Sequence, residues 1–107
     1  MSHHKNRNTT PFRLITIDRI PSNMKGVYGF WYRTTGRCLY IGQAKEQPIK
    51  NRLKQHWYRS HNAKLRQWIK AFGQHIEICY MPVNSAIMDK TEKRLIKALR
   101  PETNQTH

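Results

Sequence analysis

The stretch that decides the fold runs Gly26-Val27-Tyr28-Gly29-Phe30-Trp31-Tyr32-Arg33, then Thr34-Thr35-Gly36, then Arg37-Cys38-Leu39-Tyr40-Ile41-Gly42. Both arms are rich in aromatic and β-branched residues, the types that fill a pleated, half-buried surface. A three-residue loop ending in glycine suits a type I turn followed by a left-handed residue, where glycine carries no Cβ penalty. Such a loop pairs Arg33 with Arg37, Phe30 with Tyr40 and Tyr28 with Gly42. Side chains alternate along a strand, so Tyr28 and Tyr40 are expected on one face. A four-residue loop would set them on opposite faces.

Around this hairpin there is room for a single domain with a modest core, because the chain has 107 residues. Lys and Arg total 20 against 6 Asp and Glu, a formal net charge of +14. That imbalance predicts attraction to a polyanion, with nucleic acid ahead of anionic membrane because the bases are spread rather than packed on one amphipathic helix. No apolar run is long enough to span a bilayer and no signal-peptide pattern opens the sequence. A cytoplasmic, intracellular protein is expected. Cys38 and Cys79 fall in predicted strands without metal spacing, and are read as a reduced, buried pair. His56 and His61, five apart, do not share a helical face, so no zinc site is expected.

Residues 1–11 are polar, basic and aperiodic and are predicted to be a disordered tail. Residues 12–25 form a lead-in in which Phe12 to Ile20 reads as extended, either an edge strand or a segment lying across the sheet. Residues 26–107 make up the main domain. After the hairpin, helices are expected over about Pro48–Arg59, after an Asn62 N-cap up to a Gly73 C′ residue, and from after Asn84-Ser85 to just before Pro101. A third strand runs from His75 to Met81. The fold class is therefore α+β, a small three-stranded antiparallel sheet flanked by three helices.

Two helices carry polar residues where apolar ones belong. With Ile49 at zero and about 100° per residue, Leu53 falls near 40°, His56 near −20° and Arg52 near −60°. Arg52 and His56 thus lie in or beside the stripe that faces the sheet. On the last helix Met88, Leu95, Leu99 and Ile96 form the apolar stripe, and Glu92 lies inside it. The neighbours of Glu92 three and four residues away are Met88, Asp89, Leu95 and Ile96, none of them a cation. Asp89 has Lys93 at i+4 and reads as a surface ion pair. A buried, unpaired carboxylate is costly, so Glu92 should pair with Arg52, be protonated or bind a metal; metal ligation is preferred.

Gly26-Val27-Tyr28 and Tyr40-Ile41-Gly42 resemble the paired tripeptides that name the GIY-YIG nucleases, with Val27 in place of the first isoleucine. The resemblance continues through Arg52 and His56, then Glu92 on the last helix, then Pro101 and Asn104 beyond it. It implies a metal-dependent endonuclease hydrolysing DNA phosphodiesters, with one Mg2+ (or Mn2+) per active site. By position, Glu92 would hold the metal and Tyr28 would help activate water. Tyr40 and His56 would orient or share the proton, Arg52 would grip the scissile phosphate, and Asn104 would hydrogen-bond within the site. Tyrosine is a poor base at neutral pH, and Arg52 with a metal would lower its pKa. The loop Gln43-Ala44-Lys45 departs from the Ser-Thr or Lys-containing loop of many members. Lys45, Lys50, Lys54, Arg59 and Lys64 are candidate DNA contacts on a stretch interleaved with Trp57, Tyr58 and Trp68. No base-reading element is evident, so weak sequence preference is expected, with a homodimer or a targeting partner needed for defined double-strand cleavage. The alternative is a nucleic-acid-binding domain of the same fold without catalysis, which leaves Glu92 unexplained.

Overall fold

Arg37 pairs with Tyr32, not with Arg33, in the computed structural model, which describes residues 8–104. The hairpin loop is therefore Arg33 to Gly36. The Gly36 N–H donates to the Tyr32 carbonyl at 2.8 Å, and Gly36 takes a left-handed φ of 76°. Alone, this fourth loop residue would flip every following side chain to the other face. A register shift between Phe30 and Trp31 cancels it: Cys38 lies opposite Trp31 and Tyr40 opposite Phe30, leaving Leu39 as the extra residue. Phe30–Tyr40 and Tyr28–Gly42 are paired as expected, but through a longer loop plus a bulge.

The elements in chain order are β1 (Thr10–Pro11), α1 (Leu14–Ile17), β2 (Gly26–Tyr32), β3 (Arg37–Ala44), α2 (Ile49–Arg59), α3 (Ala63–Phe72), a 3-10 turn (Gly73–His75), β4 (Ile76–Pro82) and α4 (Ser85–Leu99). The sheet is antiparallel with order β1-β4-β2-β3. This corrects the expectation of three strands and three helices to four of each among the described residues. The expected disordered tail partly overlaps the fold, since Thr10 and Pro11 pair with Ile78 and Glu77; its residues 1–7 lie outside the described residues. The expected extended stretch from Phe12 is instead a helical turn at Leu14–Ile17. The Thr16 hydroxyl donates to the Arg13 carbonyl there, and Phe12, Ile17 and Ile20 are all buried. Gly73 is not left-handed: its φ of −51° carries the chain on into the 3-10 turn.

The sheet has helices on both faces. On the first, Tyr28, Phe30, Leu39, Tyr40 and Ile78 meet Ile17, Ile49, Leu53 and Leu65 from α1, α2 and α3. On the second, Trp31, Cys38 and Ile41 pack with Cys79 and with Leu95 and Ile96 of α4. Because Leu39 is the bulge residue, both it and its neighbour Tyr40 join the first cluster. Among the described residues no helix is long and apolar enough to cross a membrane.

The outer edge of β3 is covered by the segment after α4. The Glu102 and Thr103 N–H groups donate to the Cys38 and Leu39 carbonyls at 3.1 and 2.8 Å. The Thr103 hydroxyl donates to that same Leu39 carbonyl at 2.8 Å. Asn104 then clamps Ile41 from both sides: Oδ1 accepts from its N–H at 2.8 Å and Nδ2 donates to its carbonyl at 2.9 Å. Asn62 Nδ2 donates to the Thr103 carbonyl at 2.9 Å, tying this strap to the start of α3. Replacing Asn104 with Ala strips both partners from a shielded backbone unit, so Asn104→Ala should lose about 1–3 kcal/mol. Urea unfolding of the two proteins measures it; an unchanged midpoint would show that the strap holds without the clamp.

Candidate active site

The buried ring of Tyr28 projects from β2 toward α2. Its hydroxyl lies 2.9 Å from His56 Nε2, and His56 Nδ1 lies 2.8 Å from Ser60 Oγ. Both ring nitrogens are thus occupied. A neutral imidazole has one donor and one acceptor nitrogen, so one neighbour must donate to the ring and the other accept from it. Ser60 also accepts from the Asn62 N–H at 3.3 Å, which aims its hydroxyl. The His56 ring is packed edge-on by Phe30 and Tyr40, with centroids at 5.2 and 5.3 Å. It is 2 % exposed. Burial first, then His61 and Arg52, hold its pKa down at about 3.

Tyr40 stands beside Tyr28 on the same face, ring centroids 6.3 Å apart. Glycine at position 42 is what lets the two rings meet, because a Cβ there would come within 2.7 Å of the Tyr28 hydroxyl and 2.8 Å of the Tyr40 ring. Arg52, four residues before His56 on α2, reaches the Tyr28 hydroxyl, and its charge favours the phenolate. Burial outweighs it. Tyr28 is pushed well above the ordinary phenol range by desolvation, with the neighbouring Tyr40 phenol adding to the shift. Tyr40 is raised too, again by desolvation. The expected lowering by Arg52 is present as a cause but loses to burial, so both residues are phenols at neutral pH.

Glu92 reaches this group from the other layer. It lies on α4, which covers the second face, yet its charge acts on Tyr28, Tyr40 and Arg52. It is half-buried and has no salt-bridge partner among the described residues. Burial first, and then nearby Asp89, push its carboxyl pKa up, while Arg52 opposes them. Asp89 does not pair with Lys93 as expected; its carboxylate accepts from Gln43 Nε2 at 3.0 Å and Lys45 Nζ at 3.1 Å. These bonds pin the start of α4 to the end of β3. A concavity of about 350 Å³ opens there, lined by Gln43, Lys45, Glu46, Gln47 and Arg52. Gln43 Oε1 and Arg52 Nε are shielded from solvent and have no hydrogen-bond partner among the described residues.

Tyr28, Tyr40, Arg52, His56 and Glu92 are therefore close neighbours, whereas the Asn104 amide is spent on the Ile41 backbone. The candidate DNA contacts divide. Lys50 Nζ donates to the Asp18 carbonyl at 2.9 Å and Lys54 Nζ bridges the Asp18 carboxylate at 3.1 Å, fastening α2 to the end of α1. Lys45 sits at the rim of the concavity, and Arg59 and Lys64 are exposed. Three neighbours escaped the sequence reading. Ser60 was in principle legible, four residues after His56. His61 lies against His56 with the rings tilted and their centroids 5.2 Å apart, and it meets the Tyr40 ring edge at 6.4 Å. Its position follows from the chain turning extended at Ser60, ψ 136°, where helical spacing no longer applies. Gln43 showed no signal beyond its place after the second tripeptide.

A family model described as the GIY-YIG catalytic domain matches residues 24–105. Among solved structures, the chain is similar to the GIY-YIG N-terminal endonuclease domain of UvrC from Thermotoga maritima. A point mutant of that domain bound to its catalytic divalent cation is 25% identical, with 87% of this chain and 96% of that chain covered and a TM-score of 0.62. The same domain bound to magnesium is 25% identical over 86% of this chain and 96% of that one, TM-score 0.62. No curated protein matches significantly.

The neutral His56 makes stability depend on pH. The unfolded chain takes up a proton near pH 6.5 that the folded protein refuses until about pH 3. Stability from this group is thus complete above the unfolded value and is lost as pH falls through that window. The slope is about 1.4 kcal/mol per pH unit, or about 2 kcal/mol between roughly pH 6.5 and 5. Glu92, raised, acts with the opposite sign at lower pH, so the slope is best read above the carboxylate range. Urea titrations at several pH values check it, and His56→Gln should flatten the dependence.

Proposed function

The chain belongs to the GIY-YIG nuclease family, a family of metal-dependent endonucleases, and we propose that it hydrolyses phosphodiester bonds in DNA, with weak intrinsic sequence preference and one Mg2+ or Mn2+ held by Glu92. The observation supporting this most directly is a half-buried carboxylate without a salt-bridge partner among the described residues, set beside an arginine, two buried tyrosines and a neutral histidine. The donor set suits magnesium. The Glu92 negative charge is penalised by burial and by Asp89, a cation relieves that penalty, and the shielded Gln43 Oε1 is an oxygen lacking a partner among the described residues. Magnesium is commonly held by one or two carboxylates and keeps several of its waters. When bound, the ion supplies Lewis-acid stabilisation of charge on the phosphate and the leaving oxygen.

Arg52 binds the scissile phosphate with its planar donor fork, and its shielded Nε supplies one of the free donors. Tyr28 remains a phenol in the resting site, so it can take a proton from the attacking water only by releasing its own. His56 is placed to receive that proton at Nε2, in the tautomer whose Nδ1–H donates to Ser60. A phosphate on Arg52 offsets one of the charges that depress His56 and makes the imidazole a better acceptor. Tyr40 keeps Tyr28 aligned, and Asn104 acts indirectly by holding Ile41, next to Tyr40 on β3, in the strand. Lys45, Arg59 and Lys64 bring neighbouring phosphates to the surface. We place the enzyme with intracellular DNA, and assign defined double-strand cleavage to a homodimer or a targeting partner.

Glu92→Gln should abolish Mg2+-dependent nicking of supercoiled plasmid, by about a hundredfold or more, while DNA binding is kept or tightened. Arg52→Ala should lower both. Nicking at the wild-type rate by Glu92→Gln would rule out metal ligation by that residue. On end-labelled duplexes of unrelated sequence, the protein should cut single strands with little preference, and binding should fall steeply with salt. A single sequence-locked double-strand cut by a demonstrated monomer would contradict this assignment.

A further inference from the structure

A concavity of about 620 Å³ lies where the lead-in to α1 meets the end of α3 and the 3-10 turn. Trp57 and Arg52, five residues apart on one helix, project about 140° apart, so this hollow is on the opposite flank of α2 from the catalytic cluster. Its aromatic lining comes from Phe12, Trp57 and Phe72. Trp57 and Phe72 are 36 % and 39 % exposed, although each is braced from behind. Phe12 meets the Trp57 ring edge at 5.3 Å, and Tyr32 and Trp68 hold Phe72 at 5.4 and 5.2 Å. The walls are thus preset, with little side-chain freedom left to lose on binding. Arg13, Lys70 and His75 add basic groups, the Arg33 guanidinium reaches His75 Nδ1 at 3.1 Å, and none of the lining residues carries a carboxylate.

We propose that this hollow is a second nucleic-acid subsite, which takes an unpaired nucleobase of the substrate between aromatic walls while the basic rim holds its flanking phosphates. Exposed, braced rings interleaved with cations suit an unstacked base, because every base offers a π-face and the strand offers charge. A duplex keeps its bases stacked inside and cannot fill the hollow. The volume lies within the roughly 300–1,000 Å³ of small-ligand clefts, room enough for a base. This inference rests on DNA being the substrate, and it predicts that, among the duplexes the protein nicks, those carrying a single-stranded extension near the cut are preferred.

The test uses the full chain and three fluorescent DNAs sharing one duplex: blunt, with a short single-stranded extension, and with the same extension made abasic. By anisotropy, the wild type should prefer the intact extension over the other two. Trp57→Ala should reduce that preference by about fivefold to a hundredfold, the range expected for one stacked base. Lys70→Glu, which removes no packing, should weaken extension binding more than blunt-duplex binding; thermal melting verifies that both variants are folded. Equal affinity for intact and abasic extensions would show that only phosphates are held and would overturn the base subsite. Unchanged preference in both variants would overturn it as well. Mg2+-dependent nicking of the blunt duplex is scored in parallel. A protein that nicks it but shows no extension preference loses the subsite alone, whereas one that neither binds nor nicks any of the DNAs loses the DNA reading too.

Discussion

Everything in the site depends on two side chains of adjacent strands sharing one face of the sheet. That condition is met by two opposed irregularities, a fourth residue in the hairpin loop and a bulge at Leu39. Neither is tolerable without the other, since a single-residue slip turns Tyr40 away from Tyr28 and buries polar groups on the wrong side. The bulge also leaves the Leu39 carbonyl outside the β2–β3 ladder, and the strap takes it up through both the backbone and the hydroxyl of Thr103. The irregularity and its support are therefore one unit, built from segments that are far apart in the chain.

The second constraint is electrostatic. Two phenols and an imidazole are buried beneath an arginine in a protein that carries a formal charge of +14. Desolvation keeps all three neutral, so Arg52 is a cation with few nearby anions to share it. In the proposed reaction a phosphate diester would meet a guanidinium whose Nε has no partner among the described residues. The acids of α4 divide their work: Asp89 is held to Gln43 and Lys45 and secures the helix, while Glu92 stays available.

The pairing of Phe30 with Tyr40 and of Tyr28 with Gly42, the boundaries of α2, the N-cap of α3, and the placement of Arg52 and His56 beside the sheet all follow from periodicity and turn chemistry, and these were legible in the sequence. Other features were not, for definite reasons. A bulge leaves no mark on strand alternation when a longer loop compensates for it, so the right partners emerged from the wrong loop. The Leu14–Ile17 turn alternates like a strand, and only the burial of Ile17 and Ile20 against other elements decides the matter. Lys50 and Lys54 looked like free cations because nothing local reveals that Asp18 is folded against them. Of the expected stripe of α4, Met88, Leu95 and Ile96 pack inward while Leu99 is left exposed, and no spacing rule shows that the carboxylate of this helix approaches a site on the other face of the sheet.

The strap has a consequence for the order of events in folding. Ile41 sits between the paired tyrosine and glycine of the second motif, and its N–H is bonded to a side chain sixty-three positions away in sequence. Closing so long a loop is entropically slow to reward, so the hairpin and the helices can assemble before that contact exists. In the interval the chain would hold most of its core with the motif strand still fraying at its edge. The Ile41 amide is thus a built-in gauge: its hydrogen-exchange rate reports how often the strand that carries Tyr40 comes loose while the rest of the sheet stays shut.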